Sequence, residues 1–210
     1  MRKAICIIGI VFVAATGQPK PLVLALGDSI TYGYGLQSPG SENYAALYAA
    51  SIGGRIDDLA SPGYTCEDVL KQEVPHMQSG AAVVIINCGT NDVGGFDFTP
   101  PAKVTQAPAA TESEFAAAER AFAQILAQVR KKEPAATIYL VNLRHWQRIS
   151  ATETPQVAQR IDEWNAMLLA THERVVDVSN DPRMYERRYL QHDGLHPNAA
   201  GHKIIMSLFR

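Results

Sequence analysis

Short apolar runs alternate with amphipathic stretches along this chain, and the alternation predicts its elements. Pro21-Leu22-Val23-Leu24-Ala25-Leu26 is uniformly apolar and is stopped by Gly27, the pattern of a strand buried on both faces. Ser41-Glu42-Asn43 can cap a helix that carries Tyr44, Leu47, Tyr48 and Ile52. Arg55 to Ala60 reads as a second strand closed by Ser61-Pro62-Gly63, after which Thr65, with Asp68 three residues on, can open a short helix. Ala81 to Cys88, centred on Val83, Val84, Ile85 and Ile86, is the third strand. A helix follows from Thr111, with Glu114 as its capping-box partner. Its Phe115, Ala118, Phe122, Ile125 and Val129 fall at steps of three and four until Pro134 stops it. Ile138 to Leu143 is the fourth strand, and Thr154-Pro155 starts a helix with Val157, Ile161, Trp164 and Leu168 on one face. Arg174 to Ser179 is the fifth strand, and a last helix after Pro197 carries Ile204, Ile205 and Leu208. Five strands alternating with helices predict an α/β domain whose parallel sheet is covered on both sides.

The N-terminus departs from this pattern. Met1-Arg2-Lys3 leads into an uncharged stretch from Ala4 to Ala15 that holds Ile5, Ile7, Ile8, Ile10, Val11, Phe12 and Val13. A short basic start, an apolar stretch of 12 residues and the small residues Ala14 and Ala15 before a cut have the form of a secretory signal, too short to span hydrocarbon. The alternative is a buried first strand over residues 4 to 13. On the signal reading the chain divides into an address at 1–15 and one domain at 16–210, and the protein is exported to the periplasm or beyond. Loss of Arg2 and Lys3 then leaves 17 of the 19 basic residues against 21 acidic ones, a net charge of −4.

Composition narrows the function classes. With 210 residues, 47% apolar and 19% charged, the chain suits one hydrophobic core. A net charge of −2 and a pI near 6.3 argue against nucleic-acid binding, which needs a basic surface. No apolar run reaches the length of a spanning helix, which excludes a multi-span membrane protein. If Cys6 leaves with the signal, Cys66 and Cys88 remain, either as a disulfide or as two buried thiols, and spacing alone does not choose between them. Two cysteines 22 apart without a His-x-x-x-His make a poor zinc set, so no metal is expected.

In an open α/β sheet, ligands bind outside the carboxyl ends of the strands, and the short polar strings of this chain fall there. Gly27-Asp28-Ser29 closes the first strand, Ser61-Pro62-Gly63 the second and Gly89-Thr90-Asn91-Asp92 the third, while Asp193-Gly194-Leu195-His196-Pro197 lies near the C-terminus. Singly, each string is an ordinary turn or helix cap. Together they supply complementary chemistry: Ser29 as nucleophile, His196 as its base, and Asp193 to hold the imidazole. The Gly63 N–H, the Asn91 amide and the Ser29 N–H at a helix start can serve as donors to an oxyanion. His192 could replace His196 as the base. No Gly-x-Ser-x-Gly elbow, dinucleotide loop or Walker string is present.

The chain resembles the SGNH hydrolases, also called the GDSL esterase/lipase family, in four blocks: Ala25-Leu26-Gly27-Asp28-Ser29-Ile30-Thr31, Gly63, Gly89-Thr90-Asn91-Asp92 and Asp193-Gly194-Leu195-His196-Pro197-Asn198. The resemblance implies a three-layer, flavodoxin-like fold and a metal-independent serine esterase without a cofactor. It further implies Ser29 as nucleophile, Gly63 and Asn91 in the oxyanion hole, and Asp193 with His196 completing the triad; the base is assigned to the histidine before proline. The branch it resembles contains lysophospholipase, thioesterase and arylesterase activities. In the second block Cys66 follows Thr65 where the family carries a small residue, and a Cys66–Cys88 bridge would tie together the two loops that supply donors.

Tyr32 and Tyr34 follow the nucleophile, Phe96 and Phe98 follow Asn91, and Trp146 follows the fourth strand. These aromatics are candidate pocket walls suited to a lipid or short-chain ester; the alternative is that they only anchor loops to the core. The expected protein is a monomeric exported esterase with a small-molecule or lipid ester as substrate. A carbohydrate O-deacetylase on the same triad, and a non-catalytic surface-binding protein that keeps the fold, are the alternatives.

Overall fold

The computed structural model describes residues 19–94, 108–146 and 153–210, so the expected signal at 1–15 lies outside the described residues. Strand β1 (Leu22–Gly27) is buried along its whole length. It leads through α1 (Ser29–Tyr32) and α2 (Pro39–Glu42) to α3 (Tyr44–Ser51). Here the expected cap divides: Pro39 begins a turn of its own, and the Asn43 side chain alone caps α3 by accepting the Ala46 N–H at 2.7 Å. Strand β2 (Arg55–Asp58) precedes α4 (Cys66–Asp68), which opens with the Thr65/Asp68 capping box and widens into a π turn at Val69–Glu73. After β3 (Ala81–Asn87), α5 (Glu112–Lys132) starts at the Thr111/Glu114 capping box. Strand β4 (Thr137–Val141), α6 (Pro155–Ala170), β5 (Arg174–Val176) and α7 (Ala199–Ser207) complete the order.

The five strands are parallel in the order β2-β1-β3-β4-β5. Because side chains alternate along a strand, Leu24, Leu26, Val84, Ile86 and Leu140 pack on Phe122 and Ile125 of α5 and Trp164 of α6. The opposite face presents Val23, Ala25, Ile85 and Tyr139 to Tyr44 of α3 and to Ile204 and Ile205 of α7. This is the expected three-layer, flavodoxin-like architecture. The strand order reverses between β1 and β3, which places the ligand-binding crevice at their carboxyl ends.

Three strands end earlier than expected, and past β4 and β5 side chains take over backbone hydrogen bonds. Past β2 the Leu59 and Ser61 N–H groups still donate to the Ala25 and Gly27 carbonyls of β1 at 2.9 and 3.1 Å, while Asp58 Oδ1 accepts the Ala60 N–H at 3.1 Å. Past β4, the Asn165 amide of α6 accepts the Leu143 N–H at 2.9 Å and donates to the Leu143 carbonyl at 2.7 Å. Past β5, Asn142 Oδ1 accepts the N–H groups of Val178 and Ser179 at 2.8 and 3.2 Å.

Candidate active site

Ser29 stands where β1 turns into α1. A Cβ on Gly27 would fall 2.3 Å from the Asn87 carbonyl oxygen, so only glycine lets the two strand ends close, and the Asp28 N–H donates to that carbonyl at 3.2 Å. Asp28 then caps α1, its Oδ1 accepting the Ile30 N–H at 2.8 Å, which leaves Ser29 as the first helical residue.

His196 and Asp193 share one tight loop. Asp193 Oδ1 accepts the N–H groups of Leu195 and His196 at 2.8 and 3.0 Å, so the carboxylate fixes the loop as well as the ring. Its Oδ2 meets His196 Nδ1 at 2.6 Å, and His196 Nε2 meets Ser29 Oγ at 2.9 Å. Burial works to raise the Asp193 carboxyl, but its hydrogen bonds to His196 and the loop N–H groups outweigh this and hold it below the usual carboxylate range. An ionised carboxylate only accepts, so Nδ1 carries the imidazole proton and Nε2 is left to accept from the Ser29 hydroxyl. All three sequence-predicted residues therefore meet in hydrogen-bond contact. His192, the alternative base, is exposed, and its carbonyl accepts from Arg187.

Gly63 sits at the third position of the turn Ser61-Pro62-Gly63-Tyr64, closed by the Tyr64 N–H on the Ser61 carbonyl at 3.3 Å. Its φ of +83° is the left-handed conformation that a Pro-Gly turn of this type requires. A Cβ there would meet no protein atom, so the backbone conformation, and not crowding by the protein, demands glycine. The Ser61 N–H donates to the Gly27 carbonyl at 3.1 Å, which ties this turn to the end of β1, two residues before Ser29. One Asn91 amide N–H donates to the Tyr64 carbonyl at 2.8 Å, leaving its other N–H for a ligand. Among the described residues, neither the Ser29 nor the Gly63 N–H donates to a protein acceptor.

Cys66 and Cys88 form a disulfide with their Cα atoms 5.3 Å apart, which decides between the two readings of the pair. The bridge joins the first residue of α4 to the residue that follows β3. Asp92 reinforces it, its carboxylate accepting the Cys66 N–H at 3.0 and 3.2 Å. The loops that carry Gly63 and Asn91 are thus held together three ways.

Sequence reasoning missed the residues that support this arrangement from below. Glu73, 2% exposed, reaches from the π turn to accept the Gly27 N–H at 2.8 Å. Burial raises its carboxyl to about 9, aided by the neighbouring Asp58 and Asp28 and opposed by the hydrogen bond from Gly27. Burial likewise raises Asp28 and Asp58 to about 6 and Asp92 to about 7. The Thr90 hydroxyl faces Asp28 and opposes its shift. Arg144 is buried and donates to the carbonyls of Met184 and Leu195, the latter immediately before His196. A cation directly after the apolar run 138–143 was the available signal for it. No local pattern marked Glu73, because its partner lies 46 residues away.

The aromatics divide. Tyr32 and Tyr34 are exposed, and the Tyr34 ring lies against that of His196. Trp146 is 3% exposed and packed in the core, where it lines a small internal cavity with Ile30 and Leu143, so it anchors its loop and is not an open wall. Phe96 and Phe98 lie outside the described residues.

Fold and family model together make this an ester-hydrolysing enzyme. The chain belongs to the GDSL-like lipase/acylhydrolase family, whose model matches residues 25–204. Comparison with curated proteins returns no match. Among solved structures, an extracellular lipase from Streptomyces rimosus is 22% identical with a TM-score of 0.66, over 90% of this chain and 97% of its own. A phospholipase A1 from Streptomyces albidoflavus is 20% identical with a TM-score of 0.67, over 90% and 98%. A carbohydrate esterase family 2 enzyme from Corynascus is 20% identical with a TM-score of 0.60, over 93% of this chain and 66% of that one. These likenesses extend to the fold. Among the described residues no helix is long and apolar enough to cross a membrane.

Proposed function

We propose that the chain hydrolyses carboxylic esters through an acyl-Ser29 intermediate. The observation that carries this is the unbroken line from Ser29 Oγ through His196 to Asp193, at 2.9 and 2.6 Å. His196 Nε2 takes the Ser29 proton as Oγ attacks the acyl carbon, and Asp193 stabilises the imidazolium so formed. The carbonyl oxygen becomes an oxyanion that accepts from the N–H groups of Ser29 and Gly63 and from the Asn91 amide. His196 returns the proton to the departing alcohol. Water, deprotonated by the same nitrogen, then releases the acid and restores Ser29. These steps need neither metal nor cofactor, and every group in them comes from one chain, which supports a monomer as the working unit. Hydrolysis of p-nitrophenyl esters from acetate to palmitate, beside acetylated xylan, tests the reading and ranks lipid against sugar esters. Turnover of at least one of these substrates, abolished by Ser29→Ala, is expected; inertness toward all of them contradicts it.

We also infer that residues 1–15 direct export. The Cys66–Cys88 bridge supports this, because disulfides persist in oxidising compartments. N-terminal sequencing of the exported protein should begin after Ala15; an intact Met1 would contradict the assignment.

A further inference from the structure

Tyr34 is 51% exposed, yet its ring rests against the catalytic imidazole, with centroids 4.9 Å apart and planes inclined by 48°. Its N–H donates to the Ser29 carbonyl at 2.9 Å, so the backbone that carries the ring is tied to the nucleophile's own turn. This placement has a chemical meaning that follows from the proton's path. In acyl transfer the carbonyl oxygen must turn toward the Gly63 and Asn91 donors. The alcohol oxygen must lie within reach of His196 Nε2, because that nitrogen protonates it on departure. Both oxygens are bonded to the same carbon, so the two requirements orient the ester: its alcohol half runs along the imidazole and across the open face of Tyr34.

We propose that Tyr34 is the platform of a leaving-group subsite that selects esters of ring-bearing alcohols. A tyrosine ring offers a broad face for stacking and a hydroxyl at its edge, which fits either an aryl ring or the C–H face of a pyranose. A short ringless alcohol covers little of that face and gains little from it. The assignment rests on the acyl-Ser29 reading and adds to it which half of the ester Tyr34 touches. The step it assists is balanced within the site: Ser29 Oγ bonds to the acyl carbon, its proton passes through Nε2 to the alcohol oxygen, and the bond from acyl carbon to alcohol breaks.

The test compares wild type, Tyr34→Leu and Tyr34→Phe on three acetates: phenyl acetate, a 6-O-acetylated methyl glucoside, and hexafluoroisopropyl acetate, whose alcohol is about as acidic as phenol but has no ring. Tyr34→Leu should lower kcat/KM on a ring ester by about 3–10-fold, the worth of one stacking contact, and leave the ringless ester within about twofold. Loss on phenyl acetate alone assigns the platform to aryl groups, loss on the glucoside alone assigns it to sugars, and loss on both assigns it to their shared ring face. Tyr34→Phe should retain the phenyl acetate rate, and the pH profile of kcat/KM should be the same in all three proteins. An equal fall on all three esters, a displaced pH profile, or no change on any ester would overturn the subsite. A wild-type protein inert toward every ester would overturn the hydrolase reading beneath it.

Discussion

The Asn91 side chain donates to the Tyr64 carbonyl at 2.8 Å, coupling one proposed oxyanion donor to the turn that carries another, Gly63. The amide is therefore oriented before an ester arrives, as a preorganised donor must be. Asn91→Ala should lower kcat by about 10²–10³ with a much smaller change in KM, because the lost interaction is made mainly in the transition state. Steady-state kinetics on a p-nitrophenyl ester check this. A rise in KM at constant kcat would assign Asn91 to substrate binding.

The Cys66–Cys88 bridge closes a loop between residues 22 apart and joins the segments that carry Gly63 and Asn91. Reduction, or the double substitution to serine, should cost about 3 kcal/mol of stability through the freed chain entropy of the unfolded state. Below the lowered Tm, the reduced enzyme should also lose kcat more than it gains in KM. Thermal unfolding and kinetics with and without reductant separate the two effects.

Glu73 predicts an unusual pH dependence of stability. Its folded carboxyl titrates near 9 against an ordinary value of 4.5, so the folded chain holds a proton that the unfolded chain gives up. The resulting penalty is absent below the unfolded value, grows as pH rises above it, and is complete near pH 9. Glu73→Gln keeps an acceptor for the Gly27 N–H but cannot ionise. It should raise Tm by several degrees at pH 8, at about 2–4 °C per kcal/mol relieved in a chain of this size, and leave it unchanged near pH 4. Melting curves at the two pH values decide the matter; an equal shift at both would mean that packing, and not ionisation, sets the cost.

Asp193 both orients the imidazole and fixes the His196 loop. Asp193→Asn should leave the fold intact but lower kcat by about 10⁴, since an amide can donate to Nδ1 and so favour the unproductive tautomer. Kinetics paired with circular dichroism test this prediction. A comparable loss of folded structure would shift the role from catalysis to loop stability.

What the sequence disclosed follows from the range of the interactions. The capping boxes at Thr65/Asp68 and Thr111/Glu114 are local and were readable directly. The triad was readable because its chemistry permits few residue types at strand ends, although Ser29 and His196 stand 167 residues apart. Strand ends were less legible: the apolar run at 138–143 continues past β4, but the Asn165 amide, on a helix of its own, takes the Leu143 backbone groups. Glu73 left no local trace, as a buried acid in a π turn reads like any acidic residue of an amphipathic helix. Trp146 carried a polar handle and a loop position, yet packing drew it into the core.

The central claim, that Ser29 is an activated nucleophile, is tested most directly with a fluorophosphonate probe and intact-mass analysis of the purified protein. One phosphonyl adduct that maps to Ser29, and is absent from Ser29→Ala, is the predicted result. A wild-type protein that takes up no probe would contradict the account and leave a binding protein built on a hydrolase fold; labelling that persists in Ser29→Ala would place the nucleophile elsewhere.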